Sequence, residues 1–487
     1  MATRSVVFQR IHPGIFYGAS LLSGPLVLLL TLFTSPPSGM SVNAWHMFGV
    51  ANFMALWWIF EVVPLPVTAL LPMLLAPSLG LMPIDKVTAL YANPTIFLFF
   101  GGFMLGLAME RWNLHKRIAL HIMLLTGIQA NRLIAGFMLA TAFLSMWVSN
   151  TATSVMMLPI GMSVAAMSTG KDGGNSSFTK ALLLAIAYSA SIGGLATLIG
   201  TPPNALLAAF LEQTYDLHIG FAQWMIIGLP ISILMLFACW FWITRFAFKL
   251  DNSPNPQAEQ LLRKQLKDLG PIAGGEKFIA VIFLLTVCSW VFRPLLSRYI
   301  PGLSDTAIAL IASFLLFIIP VHARNKEFLM SWTKTKELPW GILLLFGGGL
   351  ALASLVKSTG LTSWTAEAMS SINGLPVILV VALVVTVIIF LTELTSNTAT
   401  AAGFLPLMGA LAITLGIDPV VLTVPAALAA SCAFMMPVAT PPNAVIFGAG
   451  KLTLGDMMRT GFTLNLVGII LITGIGFLMA GRLFQAL

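Results

Sequence analysis

Two nearly identical polar motifs lie inside long apolar segments of the chain. The first runs from Val148 to Thr153 and reads V-S-N-T-A-T, and the second runs from Thr395 to Thr400 and reads T-S-N-T-A-T. Ser, Asn and Thr side chains offer uncharged hydrogen-bond donors together with uncharged oxygen acceptors. The donors can bind a carboxylate, and the oxygens can bind a sodium ion. The motifs therefore indicate one site that could receive an anion and sodium together.

The two motifs belong to an internal duplication. Asn397 follows Asn150 by 247 positions, and a Leu-Pro pair follows each motif at the same distance. A second motif, T-P-P-N-A, begins at Thr201 and again at Thr440, which is an offset of 239. The sequence Phe-Gly-Gly recurs from residue 100 to residue 346. Three landmarks in the same order at nearly one offset indicate that one ancestral unit was copied.

The composition identifies an integral membrane protein. The chain has 487 residues, of which 58% are hydrophobic and 9% are charged, whereas a soluble protein has roughly 25% charged residues. The apolar runs have the length of a membrane-spanning helix and not that of the short strands of a β-barrel. The net charge of +8 is attributed to cytoplasmic loops, and no nucleic-acid partner is expected.

The fold class predicted from these runs is all-α, with about 11 transmembrane helices and two re-entrant hairpins. The predicted spans are 14–34, 43–62, 64–81, 94–110, 181–211, 221–248, 277–296, 304–321, 338–357, 420–449 and 460–483. Two further apolar segments, 132–168 and 375–415, have a Ser-Asn-Thr motif at their middle, which is typical of a hairpin that enters and leaves the membrane on one side. The Pro-Pro pairs that begin at residues 202 and 441 should break their spans, because proline lacks an amide donor.

The distribution of basic residues predicts the topology. With the amino terminus in the cytoplasm and the carboxyl terminus outside, five of the 25 Lys and Arg residues fall outside: Lys86, Arg293, Arg298, Lys357 and Arg482. The excess inside follows the positive-inside rule. The two hairpins then enter from opposite sides, which predicts inverted repeats. The predicted parts are an arm and first span (1–42), a first repeat (43–248), a cytoplasmic connector (249–276) and a second, inverted repeat (277–487).

Other chemistry has less support in the sequence. The three cysteines have no paired spacing, which argues against a disulfide framework or a metal centre. No phosphate-binding loop and no Gly-x-Ser-x-Gly elbow occurs, so neither an ATP-driven pump nor a hydrolase is expected. Glu393, three residues before Ser396, is an acid at membrane depth. It could be a proton or cation site or a structural acceptor for backbone amides, and the structural role is slightly favoured because sodium sites would already account for coupling.

The residues quoted above, together with W-W-I-F-E-V-V-P-L-P-V-T from Trp57 to Thr68, resemble the divalent anion/sodium symporters, a family of di- and tricarboxylate carriers that also includes sulfate transporters. The resemblance extends from about residue 43 to the end of the chain. It implies a homodimer in the cell (inner) membrane whose protomers each have a scaffold domain and a mobile transport domain, working by an elevator movement.

The resemblance also implies the site residues. The substrate carboxylates would contact Ser149, Asn150, Thr151, Thr201, Ser396, Asn397, Thr398 and Thr440. One sodium ion would bind Ser145, Ser149, Asn150 and Gly200, and a second would bind Thr392, Thr395, Asn397 and Ala439. The sodium-independent exchangers of the family place a basic side chain where sodium would bind, whereas the corresponding residues here are uncharged.

These observations predict a sodium-coupled symporter of C4-type dicarboxylates such as succinate, malate or fumarate. The alternatives are a sodium-independent dicarboxylate or citrate exchanger, a sulfate transporter of the same family, a channel-like anion pathway and, most remotely, an intramembrane enzyme. The choice of anion depends on a few pocket contacts that the sequence does not specify.

Overall fold

The computed structural model describes residues 13–168, 177–272, 274–322, 327–368 and 375–478. The chain ends, and with them the predicted outside position of Arg482, lie outside these ranges. The helices are α1 (Pro13–Phe33), α2 (Val42–Phe60), α3 (Leu65–Thr68), α4 (Leu71–Ser78), α5 (Ile84–Leu90), α6 (Pro94–Arg111), α7 (Leu114–Thr126), α8 (Ala130–Ser145), α9 (Asn150–Ser168), α10 (Ser177–Gly194), α11 (Pro202–Tyr215), α12 (Phe221–Trp242), α13 (Pro256–Asp268), α14 (Gly274–Val291), α15 (Arg293–Leu296), α16 (Asp305–Ile318), α17 (Trp340–Ser358), α18 (Leu361–Ala368), α19 (Val377–Thr392), α20 (Asn397–Thr414), α21 (Val420–Ala430), α22 (Pro441–Gly448) and α23 (Leu454–Leu471).

The prediction of a helical membrane protein is confirmed, with small departures. A short antiparallel pair, β1 (Pro320–His322) and β2 (Glu327–Phe328), joins α16 to the next segment. Turns of π-helix follow α12 and α23, at Ile243–Ala247 and Ile472–Gly476. Across the described ranges, six helical stretches are long and apolar enough to cross a membrane.

One predicted span was wrong, and one helix was not predicted. The span predicted at 64–81 is two short helices, α3 and α4, because Pro72 follows the end of α3 and restarts the chain at the second position of α4. Helix α7 was not predicted, since its His, Lys and Arg residues interrupt the apolar run that identifies a span. The helix is amphipathic and packs against α8 and α13.

The connector predicted at 249–276 contains the amphipathic helix α13. Asn255 caps this helix by accepting a hydrogen bond from the Ala258 amide at 3.0 Å. Arg117 of α7 forms an ion pair with the buried Glu276 and donates to the Gly270 carbonyl at 3.1 Å. The connector is therefore fixed to α7 rather than free to move as a loop.

Two helices are interrupted at the Thr-Pro-Pro-Asn motifs, as the sequence predicts. Helix α10 ends at Gly194 and α11 begins at Pro202, and we call residues 195–201 the first break. Helix α21 ends at Ala430 and α22 begins at Pro441, and we call residues 431–440 the second break. Helices α8 and α9 form one hairpin with its tip at 146–149, and α19 and α20 form another with its tip at 393–396.

Each hairpin packs against both halves of the duplication. Helix α9 contacts α10 of its own half and α22 of the other half. Helix α20 contacts α21 of its own half and α11 of the other half. The same crossed packing thus occurs twice, so that both hairpin tips and both breaks lie within one helical layer.

Glycines of the duplicated Phe-Gly-Gly landmark permit close packing beside this layer. A Cβ on Gly102 would lie 3.0 Å from Ile199 in the first break, and a Cβ on Gly348 would lie 2.5 Å from the Ala69 carbonyl oxygen. A Cβ on Gly106 would lie 3.3 Å from the Trp147 carbonyl at the first hairpin tip. The small residues are therefore packing contacts, which the small-residue spacing predicts.

Glu393 stabilises the second break. Its carboxylate accepts hydrogen bonds from the amides of Phe434, Met435 and Met436 at 2.7 to 2.9 Å and from Asn465 Nδ2 at 2.8 Å. The side chain is only 3% exposed. Four donors around an acceptor-only group, three of them from unwound backbone, indicate the structural role rather than a free proton site. The amides belong to the second break and not to the hairpin itself.

We expect Glu393→Gln to lower the free energy of unfolding by about 1–3 kcal/mol, because one buried amide loses its acceptor and the new Nε2 group is itself a donor. Thermal unfolding of the purified protein measures the effect. Glu337→Gln is the matched control, since the Glu337 side chain is 56% exposed and its ion pair with Lys334 lies at the surface. An unchanged stability accompanied by a shifted pH dependence of transport would instead identify a proton site.

Candidate functional site

The first hairpin tip places Asn150 at the first position of a helix. Helix α8 ends at Ser145, whose hydroxyl donates to the Ala142 carbonyl at 3.0 Å. The chain turns over four residues, and the Ser149 carbonyl accepts from the Thr153 amide at 2.9 Å as α9 begins. Ser149 is exposed. The early amides of α9 thus lie at the tip, and such helix starts attract anions.

The side chain of Asn150 lies against the first break. A Cβ built on Gly194 would lie 2.9 Å from Asn150 Nδ2, 3.1 Å from Asn150 Oδ1 and 2.8 Å from the Gly200 carbonyl oxygen. A Cβ on the neighbouring Gly193 would collide with Ser145 Oγ. Three members of the first predicted sodium set, Ser145, Asn150 and Gly200, are therefore brought together around two glycines.

The oxygen of Asn150 has no hydrogen-bond donor among the described residues. Asn150 Oδ1 is buried, and none of these residues donates a hydrogen bond to it. A buried acceptor left without a donor is unfavourable by about 1–3 kcal/mol. Asn150 Oδ1 and the Gly200 carbonyl oxygen both lie at Gly194, 3.1 and 2.8 Å from a Cβ built there. Uncharged oxygens of this kind fit a sodium ion.

The second hairpin tip is built from the equivalent residues but is bonded differently. The Thr392 hydroxyl donates to Asn397 Oδ1 at 2.8 Å and lies 3.0 Å from the Ala430 carbonyl oxygen. The Thr395 hydroxyl pairs with that of Thr400 at 2.7 Å. The structure thus brings Thr392 and Asn397 together, and here the asparagine oxygen has a donor.

Ala439, the fourth member of the second predicted sodium set, lies in the second break. Its amide donates to the Met436 carbonyl at 3.2 Å. Among the hydrogen bonds of the described residues, none joins Ala439 to Thr392, Thr395 or Asn397.

The two threonines of the Thr-Pro-Pro-Asn motifs are buried at the breaks. The Thr201 hydroxyl lies 3.4 Å from that of Ser431, which links the first break to the second. Thr440 caps α22 by accepting from the Asn443 amide at 3.3 Å. Within the described ranges, this contact between Thr201 and Ser431 is the direct side-chain link between the two breaks. No hydrogen bond within those ranges joins the two hairpin tips.

The remaining predicted substrate residues occupy the first turns of the tip helices. Thr151 is half-buried on α9, and Thr398 is buried on α20. Ser396 is half-buried immediately before α20, and its carbonyl accepts from the Thr400 amide at 2.8 Å. Thr151 directly follows Asn150, and Ser396 and Thr398 directly flank Asn397, at the starts of the two helices.

Two further residues at the site, Asn204 and Asn443, were not predicted. They end the Thr-Pro-Pro-Asn motifs, so the duplicated sequence did contain a signal. Both are fully buried, and both donate from Nδ2 to carbonyl oxygens of the break that precedes them. Their role depends on contacts seven to ten residues away, which a motif alone does not show.

Comparisons with known proteins agree with this architecture. The chain is 43% identical, over 93% of its own length and 89% of the relative's, to a sodium-dependent dicarboxylate transporter, SdcS, of Staphylococcus saprophyticus. The SdcS protein of Staphylococcus aureus is 42% identical over the same shares of the two chains.

The fold is similar to that of a solved transporter. The YdaH transporter of Alcanivorax borkumensis superposes with a TM-score of 0.55 at 14% identity, covering 97% of this chain and 98% of that one. The family model described as "Sodium:sulfate symporter transmembrane region" matches residues 19–484. This multi-pass membrane protein therefore belongs to the sodium:sulfate symporter family.

Proposed function

We propose that this protein is a sodium-coupled symporter that imports C4 dicarboxylates such as succinate, malate or fumarate. Relatives that are 42–43% identical over nearly the whole chain are named sodium-dependent dicarboxylate transporters. The cargo is a small anion together with sodium ions, and no chemical turnover of the anion is involved.

The observation that carries this proposal is the buried Oδ1 of Asn150, which has no donor among the described residues and which, like the Gly200 carbonyl, lies at Gly194. Sodium bound there would satisfy the oxygen and place a positive charge at the start of α9. A dicarboxylate would then meet that charge, the Asn150 amide donors and the exposed Ser149 hydroxyl. Binding of the ion would therefore favour binding of the anion, which is the basis of symport.

The proposed contacts are those of the two tips and breaks. Substrate would contact Ser149, Asn150, Thr151, Thr201, Ser396, Asn397, Thr398 and Thr440. The first sodium would bind Ser145, Ser149, Asn150 and Gly200, and the second would bind Thr392, Thr395, Asn397 and Ala439. In the second group, Thr392 would rotate its hydroxyl hydrogen away from Asn397 Oδ1 toward Ala430 to free an oxygen for the ion.

The proposed movement is an elevator within a homodimer in the cell membrane. The crossed packing of α9 on α22 and of α20 on α11 supports a single body made of both hairpins and both breaks. Helices α1 to α7 would belong to the scaffold against which it moves. Opposite orientation of the repeats 43–248 and 277–487, with the amino terminus inside, would give this body similar access from either side.

A sodium-independent exchanger, a sulfate transporter and a channel are the alternatives. Neither tip, 146–149 or 393–396, contains a basic residue, which favours sodium coupling over exchange. The names of the relatives favour dicarboxylate over sulfate. The buried contact between Thr201 and Ser431, which joins the two breaks, favours a carrier over an open channel.

We expect purified protein in liposomes to accumulate labelled succinate only under an inward sodium gradient. Potassium in place of sodium should abolish accumulation, because it does not fit the same oxygen group. Protein-free liposomes and an excess of unlabelled sulfate are the controls. Equal uptake in potassium, or uptake that requires internal dicarboxylate, would contradict the symport proposal. Competition by sulfate alone would indicate that the transported anion is sulfate and not a dicarboxylate.

Asn150→Ala and Asn397→Ala should each weaken sodium and succinate binding together by about 5- to 150-fold. Each asparagine offers donors to the anion and an oxygen to the ion, and linkage between the ligands is reciprocal. Sodium titrations at fixed succinate, and the reverse, measure both affinities. Asn→Asp should weaken succinate binding further than Ala by adding a like charge, and a folded alanine variant with parental transport would contradict the shared site.

Gly194→Ala should also reduce sodium affinity, because the new methyl group would lie 2.9 Å from Asn150 Nδ2 and 2.8 Å from the Gly200 oxygen. Relief of these contacts would move Asn150 Oδ1, which is 3.1 Å from the same methyl position, or the Gly200 oxygen away from the proposed ion. Gly448→Ala on α22 is the control, since a Cβ there meets nothing within 4 Å. Parental sodium affinity in Gly194→Ala would place the ion elsewhere.

A further inference from the structure

The two breaks leave backbone carbonyls without their helical partners. The helix that follows each break begins with two prolines, which contribute no amide donors. The first break is buried throughout, and in the second break residues 431–434, 439 and 440 are buried whereas Val438 is exposed. Carbonyl groups at such depth require donors from the protein. In both halves of the chain an asparagine side chain supplies some of these donors.

Asn204 supplies these donors in the first break. Its Nδ2 lies 2.8 Å from the Thr197 carbonyl oxygen, 3.2 Å from that of Gly194 and 3.4 Å from that of Leu195. Gly194 is the residue packed directly against the Asn150 side chain and the Gly200 carbonyl. The asparagine therefore fixes the backbone on which the proposed first sodium site is built, although among the described residues no hydrogen bond joins it to Asn150.

Asn443 does the same in the second break. Its Nδ2 lies 3.0 Å from the Met436 carbonyl oxygen and 3.2 Å from that of Ala433. The Met436 carbonyl also accepts the amide of Ala439, a proposed ligand of the second sodium ion. The sequence separations are seven and ten residues, as they are for Thr197 and Gly194 from Asn204.

We propose that Asn204 and Asn443 are positioning residues that set the two sodium affinities by holding the break carbonyls in place. Neither asparagine is among the residues proposed above to contact the sodium ions or the dicarboxylate. Both side chains are fully buried, and neither oxygen has a donor among the described residues. The NH₂ group is therefore the part of each side chain that holds the break. The inference rests on the sodium coupling proposed above and adds two residues to it.

The test measures Asn204→Ala and Asn443→Ala in two ways. Hydrogen–deuterium exchange follows the amides of residues 195–201 and 431–440, and sodium titrations at saturating succinate give the half-saturating sodium concentration. We expect faster exchange in the altered break and a half-saturating sodium concentration raised by about 5- to 150-fold. Succinate affinity at saturating sodium should stay at the parental value, because the anion is not contacted.

Asn52→Ala is the matched control. Asn52 Nδ2 donates to the Phe48 carbonyl at 2.8 Å within the unbroken helix α2, so it has the same chemistry without a break to hold. If an alanine variant does not fold, Asn204→Ser and Asn443→Ser retain one donor and should give smaller shifts in the same direction.

The outcomes separate this inference from the proposed function. A parent protein without sodium dependence contradicts the symport proposal itself. A sodium-dependent parent whose folded variants exchange faster but keep parental sodium affinity would show that the asparagines only stabilise the fold, which overturns the inference. Unchanged exchange would overturn it too, and so would a succinate affinity that stays low at saturating sodium.

Discussion

The structure depends on how it satisfies backbone groups where helices are broken at membrane depth. Lipid offers no hydrogen bonds, so every amide and carbonyl released by a break needs a protein partner. Asn204 and Asn443 supply donors to the carbonyls, and Glu393 supplies an acceptor to the amides of the second break. Broken backbone is thereby kept rigid beside the hairpin tips, where neutral oxygens and free helix amides are useful to an ion and an anion.

The two halves solve this problem differently despite their common origin. At the position equivalent to Glu393 the first half has Met146, whose carbonyl accepts from the Thr197 hydroxyl at 2.6 Å. The first break keeps tight turns, in which the Leu195 and Ala196 amides reach carbonyls three residues back. The second break is more open and depends on a buried carboxylate. The Glu393 carboxylate therefore accepts from the amides of residues 434–436, whereas the Ser431, Cys432 and Ala439 amides still reach carbonyls three residues back.

The same divergence makes the two proposed sodium sites unequal. Asn150 has an oxygen without a donor, whereas the oxygen of Asn397 accepts the Thr392 hydroxyl. The first site is closed by Gly194 and Gly200 in direct contact. The first site thus has its oxygens ready for an ion, and the second requires a hydroxyl hydrogen to turn. This difference would fit a sequence in which one sodium ion binds at the first site before a second ion binds at the second site.

The sequence by itself determined the membrane class, the duplication, the breaks at the paired prolines and the polar tips, because apolar length, proline chemistry and repeated motifs act locally. It also indicated the family. The tertiary structure decided that α9 packs on α22 and α20 on α11, that Glu393 binds amides some 40 residues away, and that Asn204 and Asn443 hold carbonyls across the breaks. Those contacts join segments far apart in the chain or across an irregular turn, and no periodic pattern encodes the direction of a side chain in unwound backbone.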